Sequence, residues 1–233
     1  MKKNRLLIVI LALVLLCGCG SKETGNGKKA TEGLVFTQED GCYAVTGYHG
    51  TDVDVVIPDT YNDVPVTIIA EEAFADSEIQ TIKMGSNIEV IELNAFRDAT
   101  LLRRVELNSS LKQIGHKRTY SDTLDGAFTG CISLETVDIP EDSALELICP
   151  GTFSHCEKLA NIELPGSLRE IGEQAFKKCL SLKSITIPAS VEKVGVWVFR
   201  GFTSEQKIVI MGSTEQWTKN WNEYCEAEIE YKG

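Results

Sequence analysis

Ile162-Glu-Leu-Pro-Gly-Ser-Leu-Arg-Glu-Ile-Gly-Glu-Gln-Ala-Phe-Lys-Lys-Cys179 is followed almost at once by Ile185-Thr-Ile-Pro-Ala-Ser-Val-Glu-Lys-Val-Gly-Val-Trp-Val-Phe199. The two stretches share one pattern. An apolar-polar-apolar triplet ends in proline, a second apolar residue comes six positions later, glycine follows it, and a phenylalanine lies four residues beyond the glycine. Self-similarity at a fixed period is the signature of a repeat architecture and takes precedence over other fold readings.

Working outward, the residue after each triplet is Pro58, Gly85, Asn108, Pro140, Pro165, Pro188 and Met211, at steps of 27, 23, 32, 25, 23 and 23. The aromatic phase is Phe74, Phe96, Phe128, Phe153, Phe176 and Phe199, at steps of 22, 32, 25, 23 and 23. Two phases that keep the same spacing give a base period of 23, within the leucine-rich-repeat range. The triplet reads as a short strand with one face in the core. Proline ends it because proline has no N–H for a ladder. Ile91, Ile114, Ile171 and Val194 are a second apolar anchor, and the Ala-Phe pair packs inward on a short turn or helix. Ser77, Ala99, Cys131, Cys156 and Cys179 fill a small-residue position three beyond the Phe. One coil cannot bury its own apolar edge, but stacked coils can, with strands about 4.8 Å apart. The expected fold is a β-rich leucine-rich-repeat solenoid of the α/β repeat class, with a parallel ladder of short strands, short turns or helices, and about six 23-residue coils between two caps.

The unit resembles the BspA-like bacterial leucine-rich repeat, which reads roughly L-x-x-I-x-I-P-x-x-V-x-x-I-G-x-x-A-F-x-x-C. Leu159 to Cys179 and Leu182 to Phe199 match it nearly position by position. The resemblance covers about residues 35–233, with Gly47 to Pro58 and Val64 to Ile69 looking like the family's leading coil. It implies a secreted or surface-anchored protein, in a family of broad function whose members include adhesins. Departures are Cys149 in place of glycine, Thr152 in place of alanine, and nine extra residues within His116–Asp125. A polar insertion in one coil has to loop out of the stack, and such loops often carry binding. His116, Lys117, Arg118, Tyr120 and Asp122 are therefore a candidate binding loop; the alternative is a neutral surface loop.

Residues 1–18 read as a signal peptide. Lys2, Lys3 and Arg5 precede an unbroken apolar run of 11 residues, Leu6 to Leu16, too short to span a bilayer comfortably. Leu16-Cys17-Gly18-Cys19 resembles a bacterial lipobox, which implies cleavage before Cys19 and its lipidation; an ordinary secretory signal with incidental cysteines is the alternative. Residues 19–33 are a polar tether after the lipidated cysteine, 34–70 an N-terminal cap, 71–211 the repeats and 212–233 a C-terminal cap. In the last, Trp217 and Trp221 would share one face of a helix over the final coil, with 226–231 as a closing strand.

Net charge is −11, or 20 basic against 34 acidic residues once Lys2, Lys3 and Arg5 are removed. This argues against nucleic acid, which needs a basic footprint. Attachment to a membrane would come from the lipid anchor only, since an acidic surface is repelled by anionic lipid. The cysteines at the small-residue position alternate with Ser and Ala, which asks for small size and points to buried free thiols rather than to a metal or disulfide. The three histidines, His49, His116 and His155, belong to no nucleophile or zinc motif. No enzyme activity, cofactor or small-molecule substrate is expected.

What remains is the outward face of the strands. One column is Lys83, Glu106, Asp138, Glu163, Thr186 and Val209; the next is Thr81, Arg104, Thr136, Asn161 and Ser184. The candidate ligand face is Lys83, Arg104, Glu106, Asp138, Asn161, Glu163 and Thr186, with Glu106, Asp138 and Glu163 as an acidic stripe; plain solvation of a sheet is the alternative. The functional expectation is a surface-anchored lipoprotein whose solenoid binds a protein or glycan in the manner of an adhesin. A structural spacer is the second reading. A transporter's substrate-binding lipoprotein is less favoured, because the repeat leaves no room for two lobes around a cleft.

Overall fold

The computed structural model of the protein describes residues 30–116 and 126–232. It is a stack of short coils held by parallel strands, as the repeat spacing implies. One ladder is built from the triplets: Asp54–Val56, Thr81–Lys83, Arg104–Glu106, Thr136–Asp138 and Asn161–Ile162 form a five-stranded sheet. Its registers pair like phases, with Thr81, Arg104, Thr136 and Asn161 in one row. Ser184–Ile187, Lys207–Ile210 and Glu228–Tyr231 continue the phase as a separate three-stranded sheet. The ladder is thus split between Ile162 and Ser184, where the sequence suggests a single uninterrupted one.

The second apolar anchors turn out to be strands too. Val64–Ile69, Val90–Ile91, Gln113–Ile114, Leu147–Ile148, Glu170–Ile171 and Lys193–Val194 are joined in parallel. An antiparallel hairpin, Leu34–Glu39 with Cys42–Tyr48, pairs onto Val64–Ile69 and covers the first coil. At the far end Glu228–Tyr231 lies parallel to Lys207–Ile210. Such caps are needed because the last coil of a solenoid otherwise presents an open edge.

On the phenylalanine side there is no helix among the described residues; the segment is a run of turns. The reason is visible in the backbone. Two residues after each Phe the chain is left-handed: Asp76, Asp98, Gly130, His155, Lys178 and Gly201 all have φ between 55° and 90°. Each of these six donates its N–H to the next coil, for example Asp98 to Thr129 O at 2.9 Å and Lys178 to Arg200 O at 2.9 Å. The N–H groups of Phe74, Phe96, Phe128, Phe153 and Phe176 donate onward to the next coil as well, Phe128 to Thr152 O at 2.9 Å. An α-helix would close those N–H groups on its own carbonyls. Here they point along the stack and make a third hydrogen-bonded seam.

The six phenylalanines form one continuous column. Successive ring centroids lie 5.1, 4.8, 5.5, 5.4 and 5.9 Å apart with planes within 22° of parallel. Tyr48 meets the column at one end, 5.9 Å from Phe74. At the other end Phe202 and Trp221 meet Phe199 edge-on, at 5.2 and 6.1 Å. Trp217 and Trp221 do come together, T-shaped at 5.1 Å, but across turns rather than on a helix. Edge-on rings stop a stack because they offer no parallel face to the next ring.

The glycine after the anchor has two separate roles. Gly115 has φ of 90°, so it serves the bend itself. Gly172 is not left-handed, yet a Cβ there would collide with the backbone of Cys149 and Pro150 in the preceding coil. Close approach of coils, not the bend, requires glycine at 172.

Candidate functional site

The expected ligand face exists as a set of rows but not as one sheet. Lys83, Glu106 and Asp138 are in register, each partly exposed. Glu163 lies just past the strand Asn161–Ile162, and Thr186 belongs to the separate C-terminal sheet. The structure brings Lys83, Arg104, Glu106, Asp138 and Asn161 onto one ladder and leaves Thr186 on another. Val209, expected outward, is buried.

The acidic stripe is not a bare one. Lys83 Nζ lies 3.5 Å from Glu106 Oε2. Arg104 Nε lies 2.8 Å from Asp138 Oδ2, off the N–H axis, so this is an ionic contact without a directed hydrogen bond; its distance to Glu106 Oε1 is 3.8 Å. Thr81 Oγ1 donates to Asp54 Oδ1 at 2.6 Å, and Asn161 Nδ2 to Thr136 Oγ1 at 3.5 Å. The face is therefore a woven set of paired charges and hydroxyls. Glu163 is exposed beyond its end.

Two features of this side are missed by reading the repeat phases. The first is Lys207 on the C-terminal sheet, held between Glu230 at 2.8 Å and Glu228 at 3.0 Å. Hydrogen bonds to Glu230 and then Glu228 raise the Lys207 pKa, and the same contact lowers that of Glu230. Both carboxylates come from the closing strand, so no repeat position announces them. The second is a shallow groove of about 460 Å³ at the end of the triplets, lined by Asp59, Lys83, Ser86, Glu106, Asn108 and Ser109. Asn108 stands where other coils have proline. It is buried and donates from Nδ2 to Ser86 O and Ile88 O at 2.8 and 2.9 Å, tying its coil to the one before. A buried amide that spans two coils is a structural bridge.

The candidate loop is reached only at its edge. His116 is exposed; Lys117, Arg118, Tyr120 and Asp122 lie outside the described residues, as does Cys19.

The cysteines of the small-residue row, Cys131, Cys156 and Cys179, are buried free thiols with a role beyond size. Cys131, Cys156 and Cys179 donate from Sγ to the carbonyl oxygens of Phe96, Phe128 and Phe153, at 3.0, 3.2 and 3.2 Å. Each thiol thus reaches the Phe of the coil before its own. Burial pushes all three thiol pKa values up, which suppresses the thiolate and with it nucleophilic and metal chemistry. Among the described residues no three His, Cys, Asp or Glu side chains converge as a metal cluster, and no helix is long and apolar enough to cross a membrane.

The stacked coils, the short parallel ladders and the buried Phe column define the molecule as a leucine-rich-repeat solenoid. A family model for the BspA-type leucine-rich repeat region matches residues 55–124 and 121–229, in 6 copies. The chain belongs to that family of bacterial repeat proteins. It is similar in fold to a leucine-rich repeat protein of T. pallidum, at 24% identity and a TM-score of 0.68, over 88% of this chain and 100% of that one. It is also similar to a leucine-rich cell surface protein of Faecalibacterium prausnitzii, at 24% identity and a TM-score of 0.53, over 82% of this chain and 56% of the other. No curated protein matches the chain.

Proposed function

We propose that the protein is an exported bacterial lipoprotein, anchored through Cys19, whose solenoid binds a protein or glycan at the cell surface in the manner of an adhesin. The observation that carries this reading is the strand face. A rigid ladder sets Arg104, Glu106, Asp138 and Asn161 in rows at fixed spacing, above a fully packed interior. Paired ions on such a surface are worth little to folding, on the order of 0–1 kcal/mol each. They are worth more to recognition, where complementary charge sets partner choice and register. Membership of a repeat family and likeness to a protein described as a cell surface protein support export. The Cys19 motif supports the anchor.

The test is capture of a panel of purified extracellular-matrix proteins and surface glycans by the immobilised protein. Asp138→Lys with Glu163→Lys should abolish capture of whichever member binds. Unchanged capture would remove the strand face as the site, and no capture of any member would favour a spacer role. The anchor is tested separately: Cys19→Ala should move the protein from the membrane fraction to the medium.

A further inference from the structure

The side of the solenoid opposite in character to the strand face carries a second charged feature. On the phenylalanine turns of the last three coils, His155, Lys177, Lys178 and Arg200 come together. His155 N–H donates to Lys177 O at 2.8 Å, and Lys178 N–H to Arg200 O at 2.9 Å, so successive coils set these residues side by side. The cap adds aromatic surface. Arg200 Cζ lies 5.6 Å from the Trp197 ring centre and 4.9 Å from that of Tyr224, which is 60% exposed.

Three observations set this cluster apart in a chain of net charge −11. First, Lys177, Lys178 and Arg200 lie together and, among the described residues, form no ion pair, whereas Lys83, Arg104, Lys112 and Lys207 each sit against a carboxylate; Arg103, Lys158, Lys193 and Lys219 also form none. Glu223 of the cap accepts instead from Trp197 Nε1 at 2.8 Å. Second, the cations act on one another. Burial and then the neighbouring Arg200 and Lys178 lower the Lys177 pKa, and burial and then Lys178 and Lys177 lower that of His155 against an opposing pull from Glu157. Third, the backbone carries these side chains at conformational cost. His155, Lys178, Trp197 and Tyr224 all have φ near 60° (61°, 58°, 55° and 61°), where other coils place Gly or Asp in the His155 and Lys178 row; in the Trp197 row Glu72, Asn94, Gly151 and Gln174 share the conformation. Only short polar residues and glycine adopt that region readily.

We propose that this ridge is a binding site for a glycan bearing sulfate or phosphate esters. The Lys177, Lys178 and Arg200 cations take the anionic groups, and the exposed Tyr224 ring stacks on a sugar face. An anion arriving here relieves the mutual repulsion of Lys177, Lys178 and Arg200, and the aromatic ring supplies the apolar contact that free inorganic anion cannot use. A second copy of this chain is the weaker candidate. The acidic N-terminal part of the same side is already partly neutralised, with Arg97 3.3 Å from Glu72 and 3.7 Å from Asp98. The site is separate from the strand face and does not depend on it.

The experiment compares retention of the purified protein on immobilised heparin, dextran sulfate, inorganic polyphosphate and neutral dextran across a salt gradient. The expected result is salt-sensitive binding to the two sulfated glycans and none to neutral dextran. Lys177→Gln with Lys178→Gln should weaken it at least tenfold and lower the log–log salt slope by about one per cation removed. Tyr224→Ala should weaken glycan binding several-fold and leave polyphosphate unchanged. Lys112→Gln, at a lysine paired with Glu89 and outside both proposed sites, should change neither. Thermal melts matching the parent protein show that the variants are folded, and Lys178→Asn keeps a left-handed residue while removing the charge. Failure to bind sulfated glycan overturns the proposal. So does equal loss from the Lys112 variant, or indifference of glycan binding to Tyr224→Ala. Sedimentation that shows salt-sensitive self-association lost with Lys177 and Lys178, without glycan binding, would assign the ridge to a second copy instead.

Discussion

The two sides of the same coils follow different rules. On the turn side the coils repeat the same physical solution: a buried Phe in the column, a left-handed residue two positions on, and, in all but the last coil where Phe202 stands, a small residue three positions on. On the strand side the interior residue repeats (Ile82, Val105, Val137, Ile162), but its neighbours run through Thr, Lys, Arg, Glu, Asp and Asn. The difference teaches where stability and identity reside. The turn side is fixed by packing against both neighbours, so it tolerates little. The strand side needs only its inward residue, so its outward rows are free to carry charge pattern.

The largest effect that would break this contrast is expected at the Phe column. Phe128 is fully buried between Phe96 and Phe153, at 4.8 and 5.5 Å. Phe128→Ala removes two ring contacts and leaves a cavity, at a cost of about 3–5 kcal/mol. Because each coil contacts mainly its neighbours, the loss should also split a single urea transition into two. A urea melt followed by circular dichroism checks both. A loss below that of a surface substitution would show that the column is not what holds the coils together.

A smaller effect is expected at the thiol row. Phe128 O already accepts from the Cys131 N–H at 3.2 Å, so the Cys156 thiol supplies its second hydrogen bond. Cys156→Ala should cost about 0.5–1.5 kcal/mol for that bond, and Cys156→Ser, which keeps a donor, should recover part of it. Equal stability of the two variants, read from denaturant midpoints, would return this position to a requirement for small size alone. In the native protein Cys131, Cys156 and Cys179 should resist alkylation, while the half-buried Cys42 and Cys225 react first.

The repeat, the strands and the Phe column are legible in the sequence because each depends on residue type at a fixed period. Ile91, Ile114 and Ile171 announce their burial in the same way. That they form a second ladder is not legible, since two-residue strands are defined by their partners and not by alternation. The choice of turns over helix depends on dihedral angles at Asp98, His155 and Lys178, which composition does not fix. The pairing of the acidic stripe with cations is not legible, for a geometric reason. Phase counting aligns Asp138 with Glu106, but the cation that meets Asp138 is Arg104, diagonal to it across the strands. Diagonal neighbours lie within reach of a long side chain and are invisible to a column-by-column reading.

On the strand side, the expected effects on folding are small. Arg104 is about half exposed, and its contact with Asp138 is not a directed hydrogen bond. Arg104→Ala should shift stability by less than about 1 kcal/mol, and high salt should shrink the difference further. A loss approaching that of Phe128→Ala would mean that the face is structural, and would weaken the case for recognition there.

The smallest effect is the sharpest probe of how the C-terminal sheet is held. Lys207 lies between Glu230 and Glu228, and the hydrogen bond from Lys207 holds the Glu230 carboxyl below the ordinary glutamate range. A depressed folded-state pKa makes the carboxylate's contribution full above the unfolded value and lost as pH falls through the folded one. Acid therefore loosens the closing strand Glu228–Tyr231, and alkali in the neutral range does not. Lys207 has its pKa raised, so its half of the contact persists through neutral pH and fades only when the ammonium itself deprotonates. Carboxyl chemical shifts followed by NMR should show Glu230 titrating below the other glutamates. In Lys207→Gln the Glu230 midpoint should return toward the ordinary value, with amide exchange along Glu228–Tyr231 faster at every pH above it. An unmoved midpoint would mean that the backbone pairing of Lys207–Ile210 with Glu228–Tyr231 alone holds the closing strand, making this end of the solenoid as indifferent to its surface charges as the turn side is.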